Sequence, residues 1–288
     1  MARPLAAAHR RATGGARRAL TAIVWIVVGA AACGGSSSPV APTAGESPSP
    51  FPQFSDASFR QAASITAAAM VAARQAARPG VFERDLKSVI DGVFLGLGGG
   101  PAAFPHIVAS GPNALEVHYT GDDRQLEAGD LVLVDIGATF DGHCADVTRT
   151  FPASGQFTAR QLELYQLVLD VHEVTAMTVQ PGLDTLSSIH AQVRERFRAA
   201  SVRALDDNGV AQTMDHFFAY GVGHFVGREV HGGDTGWTWN TPLESHQVIA
   251  LEPGLYIPSE GLAVRIEDTY LVTARGLECL SCAASKEF

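Results

Sequence analysis

Basic side chains are scarce over most of this sequence. The chain of 288 residues carries a formal net charge of −9; beyond residue 32, 16 Lys and Arg stand against 30 Asp and Glu, a net of −14. A body of that sign is repelled by phosphate backbones, so no nucleic-acid partner is expected. Long hydrophobic runs are missing as well. The apolar stretch from Ala22 to Val28 is too short to cross a bilayer comfortably as a helix. Cysteine is rare, with four in all: Cys33, Cys144, Cys279 and Cys282. The Cys279-x-x-Cys282 pair has no two further ligands nearby, which argues against a zinc knuckle. It reads either as a small-loop disulfide formed under oxidising conditions or as two unlinked thiols. Cys144 reads as a hairpin residue and not a nucleophile. The overall composition, 46% hydrophobic and 18% charged, is that of an ordinary globular protein, long enough for one large domain or two small ones.

The first 32 residues hold five arginines (Arg3, Arg10, Arg11, Arg17, Arg18) and no acid, followed by the short apolar run and small residues from Gly29 to Ala32. A positive start, a brief apolar core and a small-residue cleavage site make a secretory signal. Cys33 comes next, then a Ser/Pro/Ala/Gly stretch to about Pro52. This arrangement resembles a bacterial lipoprotein signal, whose cysteine becomes the lipidated N-terminus, although Ala30 stands where leucine is usual. The organisation expected is a signal peptide over 1–32, a flexible tether over 33–54 and a folded domain over 55–288. Lipidation at Cys33 would anchor the exported domain to a membrane of the bacterial cell envelope; a plain secretory signal cut nearby is the alternative.

Within the folded part the same plan occurs twice. Asp56 can cap a helix over about Ala57–Ala77, Pro79-Gly80 stops it, and a second helix spans about Phe82–Leu95. Strands are expected around Ile107–Val108, Glu116–Tyr119 and Leu131–Phe151. Thr158 can then cap a helix to about Thr178, Pro181-Gly182 stops it, and another helix runs over about Thr185–Ala204. Strands follow around Phe217–Tyr220, Val248–Ile257 and Ala263–Thr273. Helix, Pro-Gly, helix and strands, twice over, predict an α+β domain of two pseudo-symmetric halves. Its helices would pack outside a curved, mainly antiparallel sheet, with ligands in the concavity.

The carboxylates in those strands carry the functional signal. Asp141-Gly142 between two apolar runs is a two-residue hairpin signal that pairs Phe140 with His143 and Asp135 with Thr148. Asp146, two residues from Thr148, then lies on the same face as Asp135 and diagonal to it. In the second half, a turn centred on Ser259-Glu260 pairs Glu252 directly with Glu267. A turn at Glu260-Gly261 leaves those two diagonal; in either register they share a face. Carboxylates at the ends of apolar strands cost several kcal/mol unless a cation or hydrogen bonds compensate. His224 is the natural nitrogen ligand to join them. Hard oxygen donors with one imidazole suit manganese, cobalt, iron or zinc. Five side chains exceed the needs of one tetrahedral ion, which points to two divalent ions around an activated water.

The segments SGPNALEVHY, VDIGATFDGHCADVTRTFPASGQF, GVGHFVGREVH, LEPGLYIP and VRIEDTYLVT resemble the pita-bread metallopeptidases, from about Ser55 to Leu280. This family includes methionine aminopeptidase, Xaa-Pro aminopeptidase and prolidase. The resemblance implies that Asp135 chelates one metal, that Asp146 and Glu267 bridge, and that His224 and Glu252 serve the second. Glu252 would also shuttle the proton of the bridging water. His118 would help handle the leaving amine, His231 would hydrogen-bond the scissile carbonyl, and Arg265 would steady the ligand carboxylates. Manganese is the favoured metal, short peptides the substrates, and a homodimer is compatible with the family.

The TRTFP and RIED runs and the export signal lean toward the Xaa-Pro aminopeptidase branch. Tyr220 stands where proline-specific members usually carry histidine, which places it among the substrate-contacting candidates. Gly232 replaces an acidic residue that often follows the second histidine, and no counterpart of the branch's N-terminal domain is expected in the tether. The competing reading is a catalytically silent peptide- or protein-binding module on the same fold, against which the intact ligand set argues. A metal-free guanidino-compound hydrolase fits less well, because such enzymes lack these ligands. His106, His143, His172, His190, His216 and His246 read as surface or packed residues, and Phe217 and Phe218 as core or cleft wall.

Overall fold

The computed structural model describes residues 54–287, which lie in one compact unit. The signal segment 1–32, the lipidation candidate Cys33 and all but the last residue of the 33–54 tether lie outside the described residues. No helix among the described residues is long and apolar enough to cross a membrane.

Two helical hairpins frame the domain. Helices α1 (Asp56–Ala76) and α2 (Glu83–Gly96) open the first half, and α3 (Ala159–Thr178) and α4 (Leu186–Ala199) open the second. Ser55, one residue before the expected cap Asp56, caps α1 by accepting from the Ser58 amide. Thr158 caps α3 as its sequence predicts, and Gln161 closes the capping box by accepting from the Thr158 amide. Helix α4 ends at Ala199 instead of about 204, because Arg203–Leu205 pairs with Ala211–Thr213 as a small ribbon. The two Pro-Gly turns do the same work in each half: the Gly80 amide donates to Leu126 O, and the Gly182 amide to Leu243 O.

All strand pairings are antiparallel. Strand Leu131–Ile136 lies between Ile107–Ser110 and Val147–Pro152, while Val248–Leu251 pairs with Gly223–Phe225 and Asp268–Thr273. Each half buries its own apolar core, the first around Ile90, Phe94, Val134 and Phe151, the second around Val168, Phe197, Ile249 and Ile266. A smaller cluster containing Leu133, Tyr256 and Ala263 draws on both halves and joins them.

Two expected strands are something else. Glu116–Tyr119 is a turn after a short 3-10 helix, Gly111–Leu115, and Phe217 ends another 3-10 helix, Met214–Phe217. Tyr119 is buried because its hydroxyl reaches Glu83, not because it alternates in a ladder. The Cys279–Cys282 pair forms a disulfide, and Cys144 is a buried free thiol that burial pushes up to about 11.

Candidate metal centre

The first hairpin adopts the predicted register. Phe140 pairs with His143 and Asp135 with Thr148, around Asp141 (φ 47°) and Gly142 (φ 72°). Two consecutive residues of positive φ make the turn whose twist matches its strands, and Asp-Gly tolerates that conformation best. In the second half, Gly254 pairs with Arg265 and Leu251 with Asp268, which sets Glu252 directly opposite Glu267. The register with the turn at Ser259-Glu260 is therefore the one adopted, built on the short helix Pro258–Glu260.

The two hairpins meet along a seam of threonine hydroxyls. Thr150 Oγ1 donates to Arg265 O and accepts from its amide at 2.9 and 3.1 Å. Thr148 Oγ1 donates to Glu267 Oε2 at 2.6 Å, and the Glu267 amide donates to Thr148 O. Thr269 Oγ1 donates to Asp146 O and accepts from the Asp146 amide at 2.7 and 2.9 Å. Val147–Pro152 thus runs antiparallel to Leu262–Thr273 and in step with it, which delivers Asp146 and Glu267 to one point from opposite halves.

At that point His224 Nε2 lies 3.3 Å from Asp146 Oδ2, 3.8 Å from Glu252 Oε1 and 3.9 Å from Glu267 Oε1. His224 Nδ1 donates to Phe225 O, which leaves the Nε2 lone pair facing the carboxylates. Arg265 is 1% exposed; it reaches Asp135 Oδ2 at 2.5 Å, Tyr256 OH at 2.5 Å and Thr148 Oγ1 at 3.1 Å. One guanidinium therefore fixes a carboxylate of the first half to the strand of the second.

The charges are under strain. Burial, then the neighbouring acids Glu267, Asp135 and Glu252, hold the Asp146 carboxyl well above its usual range. Burial and then Glu267 push Glu252 up to about 8, and burial and then Asp135 push Glu267 to about 8. Asp135 Oδ1 and Asp146 Oδ1 are buried without a hydrogen-bond partner. Buried carboxylate oxygens normally find a donor, so two orphans beside an acidic cluster with an accepting imidazole fit the chemistry of a divalent-cation site. Asp146, His224 and Glu267 already present ligand atoms within 4.8 Å of one another.

A cleft of about 610 Å³ opens over this cluster, and all nine site residues expected within the described chain line it: His118, Asp135, Asp146, Tyr220, His224, His231, Glu252, Arg265 and Glu267. His231 stacks edge-on against His224 at 4.7 Å, and burial, His224 and His118 lower its pKa. The Tyr220 hydroxyl donates to Glu252 O at 3.1 Å. Gly232 sits at φ 60°, where a Cβ would come within 2.6 Å of Phe225 O, so an acidic side chain there would require the backbone to move.

Sequence reasoning overlooked Glu83, Thr148, Tyr256 and Thr269. Glu83 is fully buried at the start of α2 and accepts from Ser110 N and Oγ, Asn113 Nδ2, Tyr119 OH and Arg124 N. It pins the loop that carries His118, and gives the SGPNALEVHY run its physical reason. An acid two residues after a Pro-Gly-Val turn carries no local mark of that burial.

Comparison with known proteins agrees with this geometry. Xaa-Pro aminopeptidase of Escherichia coli is 34% identical over 243 residues, 80% of this chain and 55% of that protein. Its Haemophilus influenzae counterpart is 36% identical over 248 residues, 80% of this chain and 56% of that one. Among solved structures, Escherichia coli aminopeptidase P, as an alanine variant in complex with substrate, superposes with a TM-score of 0.73 at 32% identity, covering 80% of this chain and 56% of its own. The fold is the pita-bread α+β fold. The chain spans little more than half the length of these relatives. Residues 57–274, which contain both hairpins and every ligand candidate, match the family as a whole, and the chain belongs to metallopeptidase family M24.

Proposed function

We propose that this chain is a metal-dependent aminopeptidase that removes the N-terminal residue of short peptides, in the manner of Xaa-Pro aminopeptidases. The observation that carries the reading is the pair of orphaned carboxylate oxygens on Asp135 and Asp146, set in one cleft with His224, Glu252 and Glu267. Asp135 would hold one divalent cation, Asp146 and Glu267 would bridge to a second, and His224 and Glu252 would complete it. Manganese is favoured, with cobalt, iron and zinc as alternatives that the same donors accept. When bound, the cations supply Lewis-acid charge that lowers the pKa of water and polarises a carbonyl.

The protein's own groups do the remaining work. Glu252, only 18% exposed and held at its carbonyl by Tyr220 and at its amide by Val222 O, is placed to take a proton from the attacking water and return it to the leaving nitrogen. His231, kept neutral by its surroundings, can donate to the oxygen of the scissile carbonyl as charge builds there. His118, on the loop pinned by Glu83, lines the same cleft and would meet the departing amine. Arg265 and Thr148 hold Asp135 and Glu267 in place.

The test is metal analysis followed by peptide digestion. After manganese loading the protein should retain about two ions per chain and release N-terminal residues, and Glu252→Ala should abolish release. Fewer than one bound ion, or unchanged turnover in that variant, would overturn the proposal. Comparing Xaa-Pro peptides with proline-free ones decides whether proline is preferred beside the cut. Export and anchoring rest on the Arg-rich start, the short apolar run and Cys33. Incorporation of a labelled fatty acid that is lost in Cys33→Ser would support them.

A further inference from the structure

A second cavity adjoins the cleft. It encloses about 470 Å³ and shares Tyr220, Gly221 and Trp239 with the cavity over the metal centre. Trp239 is the wall between them. Its indole lies so close to Gly221 that a Cβ there would meet the ring at 2.5 Å, and its carbonyl accepts from the amide of Ser187, the second residue of α4. Beyond that wall the acids of the metal-centre cleft give way to a lining in which His190, Arg194, Asp215 and His216 stand beside Phe218.

The charges in this groove are unevenly matched. Asp215 is 7% exposed and accepts from Thr213 Oγ1 at 2.6 Å and from Arg198 Nε and Nη2 at 3.3 and 3.1 Å. Arg194, one turn before Arg198 on α4, reaches the same carboxylate only at 3.4 Å, and its side chain is 43% exposed. One acid already satisfied by a threonine and an arginine leaves the second guanidinium with donors to spare. His190 Nδ1 is buried beside it without a partner, its ring set between Phe218 at 5.2 Å and Trp239 at 5.7 Å. A fork of spare N–H donors next to an unpartnered imidazole nitrogen suits a carboxylate.

We infer that this groove is an anchoring site for the free C-terminal carboxylate of the peptide substrate, with Arg194 as its principal ligand. The inference rests on the aminopeptidase reading: the amino end is consumed at the acidic cluster, and the rest of a short peptide leads away past Trp239. A carboxylate held there would select short peptides with a free acid terminus over amidated ones.

The experiment uses the manganese-loaded protein and two matched series of peptides, from two to five residues, one ending in the free acid and one in the amide. At the length that spans the groove, wild type should show a KM about fivefold lower for the acid, the size expected of a half-exposed ion pair. In Arg194→Gln the acid-to-amide ratio should fall to about one, and Arg194→Lys should restore part of it. An equal KM for acid and amide at every length in wild type, or a ratio that Arg194→Gln leaves unchanged, would overturn the inference. If no peptide of either series is cleaved, the aminopeptidase reading fails separately. The groove is then judged by calorimetric binding of the same peptides: tighter binding of the acid that Arg194→Gln abolishes supports the site, and equal binding overturns it.

Discussion

Replacing Glu252 by glutamine should make the chelator-stripped protein more stable, by an amount that grows with pH. Burial, and then the charge of Glu267, raise this carboxyl from its ordinary 4.5 to about 8. Between those two values the unfolded chain gives up a proton that the folded chain keeps. Stability is therefore fully present below about pH 4.5 and is lost as pH rises towards 8. At about 1.4 kcal/mol per pH unit, the roughly 2.5 units from 4.5 to 7 amount to ~3 kcal/mol from this one side chain. Glutamine keeps the shape and cannot ionise.

Urea unfolding in the presence of chelator, followed by circular dichroism, reads the effect. Wild type and Glu252→Gln should differ little at pH 4.5, and the variant should lead by up to ~3 kcal/mol at pH 7. Saturating manganese should reverse the order, because only the carboxylate balances a cation and binding stabilises the state that binds. A gap that stays constant from pH 4.5 to 8 would refute the account of Glu252 as a trapped charge. Equal stabilisation of both proteins by manganese would refute its role as a ligand.

Thr148→Val removes the hydroxyl that donates to Glu267 and accepts from Arg265 at almost constant volume; manganese affinity measured by calorimetry should fall about tenfold. Arg149→Met leaves the buried carboxylate of Asp268, which burial pushes up but which Arg149, His172 and Lys286 hold down at about 2, with Lys286 and the Ser281 hydroxyl alone, and should cost about 3 kcal/mol in urea unfolding at pH 7. Because that carboxyl is depressed, its contribution should fade as pH falls below about 4 towards 2. Cys282→Ser opens the short loop that carries Ser281, whose hydroxyl donates to Asp268 and accepts from the Thr269 amide; about 2 kcal/mol of stability should go with it, read by thermal unfolding with and without a dithiol reductant.

What could be read in advance was local. Asp141-Gly142 fixes its own turn, and strand parity then carries that register outward to Asp135 and Asp146 without further information. Pro79-Gly80 and Pro181-Gly182 end their helices for reasons contained in two residues, and Thr158 with Gln161 starts one for reasons contained in four. What escaped was set by partners far along the chain. Tyr119 and Phe217 look like strand residues, yet one is held by Glu83 and the other packs into the second core from a 3-10 turn. The Arg194 groove has no motif at all; it exists because a loop through Trp239 folds onto the start of α4.

The threonine seam shows why the acids sit where they do. Ladder pairing lapses at Asp146, at Glu252-Pro253 and at Ile266-Glu267, which carry three of the five proposed ligands, while Asp135 and His224 stay within ladders. A lapse would leave backbone amides bare inside the protein, a cost comparable to a lost hydrogen bond for each. Thr269 Oγ1 takes the Asp146 amide, Thr148 O takes that of Glu267 and Val222 O takes that of Glu252, so none is bare. Two of those three acceptors lie in the opposite half of the domain. The joint between the halves and the frame of the proposed metal centre are thus one set of bonds, and a proposed ligand cannot shift far without loosening the joint. Cations that drew Asp146 and Glu267 together would tighten it, and would couple metal binding to the association of the halves through named atoms and not through a distant change of shape.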